Sequence, residues 1–411
     1  MGRRLVGLDT AKGFGIFLMI LVHLFSHQVA RANSELFVPV LSQMSPMMLI
    51  FLSPLIFFGT MGSAFTIFTC LSTTLKMYEI GPQNRRGLRK LIRSRVIIGA
   101  LIMFADRILR NLLNHRYTDG RYYTLGTVSF NFSSSTIDSI AIVGVIVPLV
   151  VRFYMRFPKL QSNRAFIVIF SSIAFIGLVI GDTLTPLGRN LAEIFQEKGL
   201  FFPELFLSKL VWGRFKTVHT FSFGCAGAVM GYLLYINVSE KTFMKFGWFL
   251  LLVSIIIIGI AAIIDWSFLL RFANDDVPFQ VQMFNIGAQV LIISQFLKYL
   301  DFGSVKRRVK AAKRTIWLRR YGIVSLSLFI VSKFPAEVIY QILKYWWGEA
   351  IDNSLLEPKM VWSVFQLALF LLLVIVMWEL ILRLWEKLHF TFSVEWMINL
   401  FAVILQMKKT A

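Results

Sequence analysis

The stretch LDTAKGFGIFLMILVHLFSH, residues 8–27, contains an apolar run long enough to cross a membrane and carries a few ionisable side chains. A helix needs about 20 apolar residues to span the hydrocarbon core of a bilayer. Similar runs recur along the chain, so we predict an all-α, polytopic membrane helix bundle of about ten transmembrane helices. The predicted spans are residues 13–30, 46–75, 91–113, 136–153, 165–181, 217–236, 246–270, 281–297, 321–343 and 360–382.

At each end of the chain the sequence allows a second assignment, which would change the number of spans. We assign residues 1–382 to the bundle and residues 383–411 to an interfacial helix and tail on the cytoplasmic side, because that stretch mixes aromatic and polar residues. An eleventh span over the same residues is the alternative. At the other end, the first apolar run also resembles a signal peptide with a cleavage site near residues 30–32, which would leave nine spans.

The composition of the whole chain agrees with a membrane protein. Of 411 residues, 57% are hydrophobic and 16% are charged, and the mean hydropathy is +0.69. Soluble domains are about 45–50% apolar and about 25% charged. An ordinary soluble enzyme, a disordered chain and a nucleic-acid-binding domain are therefore excluded, despite the net charge of +21. The two cysteines and five histidines lack the spacing of a disulfide framework or a metal site, so we expect no metal.

The basic residues indicate which side of the membrane each loop occupies. Cytoplasmic loops are rich in Lys and Arg. The basic segments 76–95, 152–164 and 298–320 share one side only if the two more polar predicted spans, 91–113 and 281–297, also cross. With that topology, 29 of the 43 basic residues lie on one side. We therefore predict ten crossings with both termini in the cytoplasm.

The first predicted span carries an unusual set of ionisable residues. Lys12 and His23 are eleven residues apart, which at about 100° per residue falls within about 20° of three whole turns. They should therefore lie on one helix face about 16 Å apart along the axis, with Lys12 at the cytoplasmic mouth, and His27 follows one turn later. Ionisable residues inside a membrane usually face the bundle interior or an aqueous cavity. A topology anchor at Lys12 and a merely structural His23 are the simpler alternative.

This segment resembles the first helix of the transmembrane acyltransferase superfamily, which includes acyltransferase family 3 and relatives of heparan-α-glucosaminide N-acetyltransferase. The family motif is a basic residue, ten residues and then His, preceded by Leu-Asp; Lys12, His23 and Leu8-Asp9 match it. In one place the chain departs from the family, because Ser332 and Lys333 stand where many relatives carry Tyr and His. Weaker similarities follow in the expected order at residues 51–65, 85–95, 219–234, 318–334 and 393–399.

The resemblance implies an enzyme that transfers an acyl group, usually acetyl, from cytosolic acyl-CoA to a hydroxyl or amine of an extracytoplasmic sugar or glycolipid. It points to His23 as the general base or acyl carrier, with His27 as an alternative base and Lys12 at the mouth. Basic side chains suit the phosphates of CoA. The candidates for that contact are Lys12, Arg86, Arg89, Arg93 and Arg95. The alternative is that this basic run only sets the topology of the chain.

Other polar residues are weaker candidates. Asp138, Asp182 and His219 lie at the predicted outer ends of spans and are expected to face the acceptor, and residues 182–216 are predicted to form the longest outer loop. Three further residues are expected to be structural: Asp9, Asp106 and Arg110, the last two four apart and able to pair.

Two other functional classes remain open at this stage. A secondary transporter also contains ionisable residues within its helices, although the chain lacks the paired halves common in such proteins. A non-catalytic scaffold would not require His23. The expected partners are acyl-CoA, a sugar or glycolipid acceptor and membrane lipids, with no nucleic acid. The plasma membrane is the expected location, and a homodimer is an open possibility.

Overall fold

The computed structural model describes residues 5–25, 44–114, 136–157, 162–211, 216–265, 277–352 and 359–407. Within these ranges the chain is almost entirely helical, apart from a two-stranded antiparallel ladder of β1 (Ile351–Asp352) and β2 (Lys359–Met360). The helices are α1 (Val6–Leu24), α2 (Pro46–Gly59), α3 (Ala64–Ile80), α4 (Arg85–Asn114), α5 (Thr136–Tyr154), α6 (Asn163–Glu197), α7 (Phe201–Val211), α8 (Thr217–Tyr235), α9 (Glu240–Ile264), α10 (Phe279–Leu300), α11 (Val305–Arg314), α12 (Ile316–Ile323), α13 (Ser325–Val331), α14 (Lys333–Trp347), α15 (Val364–Lys387) and α16 (Val394–Met407).

The described helices include seven that are long and apolar enough to cross a membrane: α1, α5, α6, α8, α9, the stretch Ser325–Trp347 and α15. These helices indicate a membrane protein. The other three predicted spans, 46–75, 91–113 and 281–297, are also helical. The first contains two short helices, α2 and α3, separated by a 3-10 turn, and the other two belong to the more polar helices α4 and α10. The total of ten crossings and the cytoplasmic termini stay predictions.

The predicted outer loop at residues 182–216 is wrong, because α6 continues to its end at Glu197 and α7 follows. Hydropathy falls near Gly181, but a drop in hydropathy marks the edge of the hydrocarbon and does not end a helix. Pro186 lies inside α6, and the hydroxyl of Thr185 donates to the carbonyl of Gly181 at 2.7 Å. With 35 residues, α6 is about 52 Å long, well beyond the roughly 30 Å of the hydrocarbon core.

The chain divides into two compact units, each built from separated segments. The first unit comprises Met1–Leu5, Ser63–Lys298 and Ile398–Ala411, and the second comprises Val6–Gly62 and Tyr299–Met397. The centre of the first unit is α8, which packs on α3 at backbone distance. A Cβ added at Gly227 or Gly231 would lie 2.5 Å or 2.4 Å from the carbonyl oxygen of Ile67 or Leu71, so both positions require glycine.

The polar side chains of α10 point into the interior of the first unit. Gln282, Asn285 and Gln289 are all buried, at spacings of three and four residues. The amide of Gln289 donates to the hydroxyl of Ser63 at 3.1 Å. Interior partners of this kind explain how a helix with several amide side chains can belong to a membrane bundle.

In the second unit, α1 packs against α12 and α13. The crossing with α12 is very close, because a Cβ built on Gly13 would lie 1.7 Å from the carbonyl oxygen of Leu318. A Cβ on Gly322 would lie 2.4 Å from the carbonyl oxygen of Asp9. Two glycines facing each other thus let the two backbones touch, as small residues do at membrane helix interfaces.

A remote carboxylate caps the first turn of α1. Asp301 accepts hydrogen bonds from the backbone N–H of Val6 at 3.1 Å and of Gly7 at 2.7 Å. The first N–H groups of a helix lack intrahelical partners, and the helix dipole favours a negative charge there. Asp301 therefore sets the start and the direction of α1.

A second carboxylate holds the start of α13. Glu395 accepts from the backbone N–H groups of Leu326 and Ser327 and, at 2.6 Å, from the Ser327 hydroxyl, which in turn accepts from the N–H of Val394 at 2.8 Å. Burial raises the pKa of the Glu395 carboxyl, and these hydrogen bonds oppose that rise. Residues 318–334 and 393–399, two of the weaker segments of family resemblance, are thus joined by direct hydrogen bonds.

Candidate functional site

The candidate catalytic face lies on α1 in the second unit. Asp9, Lys12 and His23 are half-buried, while most neighbouring positions on this helix are buried. Because α1 is a continuous helix from Val6 to Leu24, the predicted shared face of Lys12 and His23 is retained. These three side chains are therefore not packed fully in the core of the second unit.

Contacts with α12 and α13 define the position of α1 and of His23. Its ring meets Phe329 of α13 edge-on, with ring centroids 5.7 Å apart. One further aromatic contact, Phe17 against Trp317 with centroids 5.4 Å apart, holds the middle of α1 on α12. Together with the Asp301 cap, these contacts fix the rotation of α1 and hence the direction of its polar face. His27 lies outside the described residues.

The predicted phosphate-binding arginines occupy the start of α4 in the first unit. Arg86, Arg89 and Arg93 are exposed and share one helix face through spacings of three and four residues. In the described part of the chain these three guanidinium groups form no ion pair. Arg95 is half-buried on the opposite face, so the structure separates it from the other three.

The pair predicted further along α4 is only partly visible. Asp106 is fully buried, whereas the side chain of Arg110 lies outside the described residues. An Asp106–Arg110 contact therefore stays a prediction.

The three predicted acceptor-side residues, Asp138, Asp182 and His219, take part in two polar contacts of the first unit. The first contact is an ion pair. Asp138, at the start of α5, is 1% exposed and pairs with the ammonium group of Lys209 on α7. The hydroxyl of Thr217 donates to the carbonyl of Lys209 at 2.7 Å and lies 3.3 Å from the hydroxyl of Ser139. The start of α8 is thus attached to α5 and α7 by polar contacts.

The second contact joins His219 of α8 to Asp182 of α6. The Nε2 atom of His219 lies 3.1 Å from Asp182 Oδ1, within ion-pair distance but without hydrogen-bond geometry. Asp182 Oδ2 accepts from the backbone N–H of Phe279 at 2.8 Å, so one carboxylate links α6, α8 and α10. Gly181 makes room for the imidazole, because a Cβ there would lie 2.4 Å from His219 Cδ2.

Sequence reasoning missed three groups that organise these sites. Lys209 and the N–H of Phe279 complete the buried contacts of Asp138 and Asp182, and Asp301 caps α1. No local pattern marks them, since each partner comes from a distant part of the chain. In the sequence, a single charged residue next to an apolar run was the one available sign that a polar contact would form there.

Removing Lys209 should destabilise the protein strongly. Lys209→Ala would remove the ammonium partner of the buried Asp138 carboxylate, and breaking a buried ion pair in this way costs about 3–5 kcal/mol. We expect the apparent melting midpoint in detergent to fall clearly. The double variant Asp138→Asn/Lys209→Met removes both charges and should recover most of the loss. Equal midpoints for Lys209→Ala and the parent protein would show that the pair contributes nothing.

Comparisons with known proteins do not add to this picture: no family model, no curated protein and no solved structure matches the chain. Any functional assignment therefore rests on the residues themselves and on their arrangement.

Proposed function

We propose that the protein is a membrane acyltransferase that uses acyl-CoA, with acetyl-CoA as the expected donor, and acylates a hydroxyl or amine of an extracytoplasmic sugar or glycolipid. The observation that carries the proposal is the polar face of α1. There Lys12 and His23 are half-buried on one side of a helix that is fixed at its start by Asp301 and in its middle by Gly13. A lysine and a histidine in line on a rigid helix suit a reaction that binds an anionic donor and moves a proton.

In the proposed step His23 acts as a general base. Its neutral imidazole accepts the proton of the acceptor hydroxyl or amine, and the freed oxygen or nitrogen attacks the thioester carbonyl. The C–S bond breaks, and the CoA thiolate leaves and takes up the proton from the imidazolium. In the alternative route the imidazole nitrogen attacks the thioester first and then passes the acyl group to the acceptor.

The charged end of the donor needs cationic partners. CoA carries several phosphate groups, and the exposed face of Arg86, Arg89 and Arg93 offers three guanidinium groups without carboxylate partners in the described structure. Guanidinium groups bind phosphate oxygens in a bidentate manner. Lys12 is the corresponding candidate on α1.

The direct test is an acyl-transfer assay with the purified full-length protein. Radiolabelled acetyl-CoA is mixed with amino sugars and glycolipids, and transfer is followed by chromatography, with acetyl-CoA binding measured in parallel. Transfer to one acceptor class would establish the activity. Absence of both transfer and binding across all acceptors would contradict the proposal.

Neutralising two arginines of α4 should weaken donor binding. For Arg86→Gln/Arg89→Gln we expect the Kd for acetyl-CoA to rise about 10-fold, because exposed charge-assisted contacts to phosphate contribute modestly. Isothermal titration measures this change. Lys241→Gln/Lys245→Gln removes two exposed basic residues elsewhere in the same unit and should leave the affinity unchanged. Equal affinities for both double variants would exclude Arg86 and Arg89 from the site.

A secondary transporter is the second candidate. The buried contacts Asp138–Lys209 and His219–Asp182 favour it, because titratable pairs inside membrane bundles often serve proton or ion pathways. Uptake into proteoliposomes driven by a proton or sodium gradient would support this candidate, and its loss in Asp182→Asn would locate the pathway.

A further inference from the structure

The helix α11 has the highest proportion of basic residues of the described elements and lies in the second unit. Six of its ten residues are Lys or Arg, it contains no acidic residue, and none of its residues is buried. Its N-terminus is capped by the Ser304 hydroxyl, which accepts from the N–H of Arg307 at 3.4 Å. The basic residues are therefore held on a defined helix and not in an irregular loop.

Five of the six basic residues of α11 lie on one side of the helix, and Arg308 falls outside that arc, about 40° from Ala312. At about 100° per residue, Lys306, Arg307, Lys310, Lys313 and Arg314 fall within about 120° of one another around the axis. The apolar residues Val305, Val309 and Ala312 share an arc of about 60° on the other side. The helix is amphipathic, with a wide cationic face and a narrow apolar stripe.

The described part of the chain leaves Val305 and Val309 of this stripe largely uncovered, whereas Ala312 is half-buried. The side chains of Val305 and Val309 are 66% and 51% exposed. In α12, the next helix, Ile316 and Trp317 are each 39% exposed, while Leu318 is buried in the second unit. Trp is enriched where a protein meets the boundary between lipid and water. The structure thus joins an uncovered apolar stripe, an interfacial tryptophan and a row of cations.

We propose that α11 lies on an anionic lipid leaflet, with Val305, Val309 and Trp317 in the interface and the lysines and arginines among lipid phosphate groups. Amphipathic helices with this division bind such surfaces in the plane of the membrane. Clusters of four to eight basic residues on an amphipathic helix beside membrane spans are typical of sites for anionic lipids. The side involved is the predicted cytoplasmic one. The proposal does not depend on the acyltransferase function.

The apolar stripe identifies the partner among the possible anions. Free phosphate and the phosphates of a soluble cofactor would satisfy the cations, but they would leave Val305 and Val309 in water. An acidic soluble protein would also neutralise the charge and is the remaining alternative. A lipid surface satisfies both faces at once, because headgroups and acyl chains meet at the same depth.

Hydrogen exchange of the intact protein in lipid nanodiscs tests the proposal. Discs of phosphatidylcholine alone are compared with discs that contain about one third phosphatidylglycerol, a composition within the anionic range that binds basic segments. We expect the amides of residues 305–314 to exchange about 10-fold more slowly in the anionic discs, and high salt should reduce that protection. Equal exchange in the two kinds of disc would overturn the proposal.

Two double variants and one control separate the contributions of the charges and of the apolar stripe to this protection. Lys310→Gln/Lys313→Gln should lose most of the protection, whereas Lys241→Gln/Lys245→Gln, which removes the same charge from α9, should keep it. Val305→Ser/Val309→Ser retains every charge but should also lose protection. Full protection in the serine variant, or protection in zwitterionic discs on addition of inorganic phosphate or soluble polyglutamate, would reject a lipid surface as the partner.

Discussion

His23→Gln is expected to lower the rate of acyl transfer by about 10²–10⁴-fold while leaving the binding of acetyl-CoA within about twofold. Removing a positioned general base reduces catalysis by that range. Glutamine fills similar space and can donate or accept a hydrogen bond, but it cannot carry the proton. Binding should persist because His23 is not among the residues proposed to contact the phosphates of the donor.

The pH dependence of the reaction adds a readout that a structural role would not change. If His23 is the base, log(kcat/KM) of the parent protein should rise with unit slope at low pH and level off once the imidazole is neutral. In His23→Gln the residual rate should lose this dependence. A variant that only unfolded would instead lose donor binding and lower the melting midpoint.

His389→Asn provides the matched control. His389 is exposed and lies in a left-handed conformation at φ 51°, which asparagine tolerates. The substitution removes one imidazole from the same unit and should leave transfer unchanged. Equal rates for His23→Gln and the parent protein would remove His23 from the chemistry and would favour a scaffold or a transporter.

Gly13→Leu is expected to prevent α1 from docking on α12. Its Cβ would meet the carbonyl oxygen of Leu318 at 1.7 Å, and that atom belongs to the backbone and cannot rotate away. Overpacking inside a well-packed protein costs about 1–3 kcal/mol and occasionally more. A backbone clash of this size should reach or exceed the upper end of that range. We expect a sharp fall in the apparent melting midpoint and in the monodisperse fraction on size-exclusion chromatography.

Gly259→Leu is the appropriate control, since a Cβ at Gly259 meets no atom within 4 Å. Both substitutions replace a helical glycine by leucine, which by itself favours the helix. The control should therefore keep or slightly raise the midpoint. An unchanged midpoint for Gly13→Leu would contradict the close crossing of α1 and α12.

The helices of the predicted spans and the polar face of α1 could be predicted from the sequence, because both depend on local periodicity, whereas α7 was expected to be part of a loop. Lys12 and His23 share a face through helix geometry alone. The length of α6 could not be read from hydropathy, since a helix continues into water while its side chains become polar. The partners of Asp138 and Asp182 were also hidden, because Lys209 and Phe279 reach them only through tertiary packing.

The docking of α1 also has a consequence for the order of events during synthesis. The N–H of Gly7 and its acceptor Asp301 are 294 residues apart, and Gly322 lies still later in the chain. At about 5–20 residues per second, a ribosome takes roughly 15–60 s to reach Asp301 after α1 has been made. During that interval α1 has neither the Asp301 carboxylate that caps it nor the α12 backbone on which Gly13 packs. A chain whose synthesis stops before Asp301 would therefore lack both the acceptor for the N–H of Gly7 and the backbone that packs on Gly13.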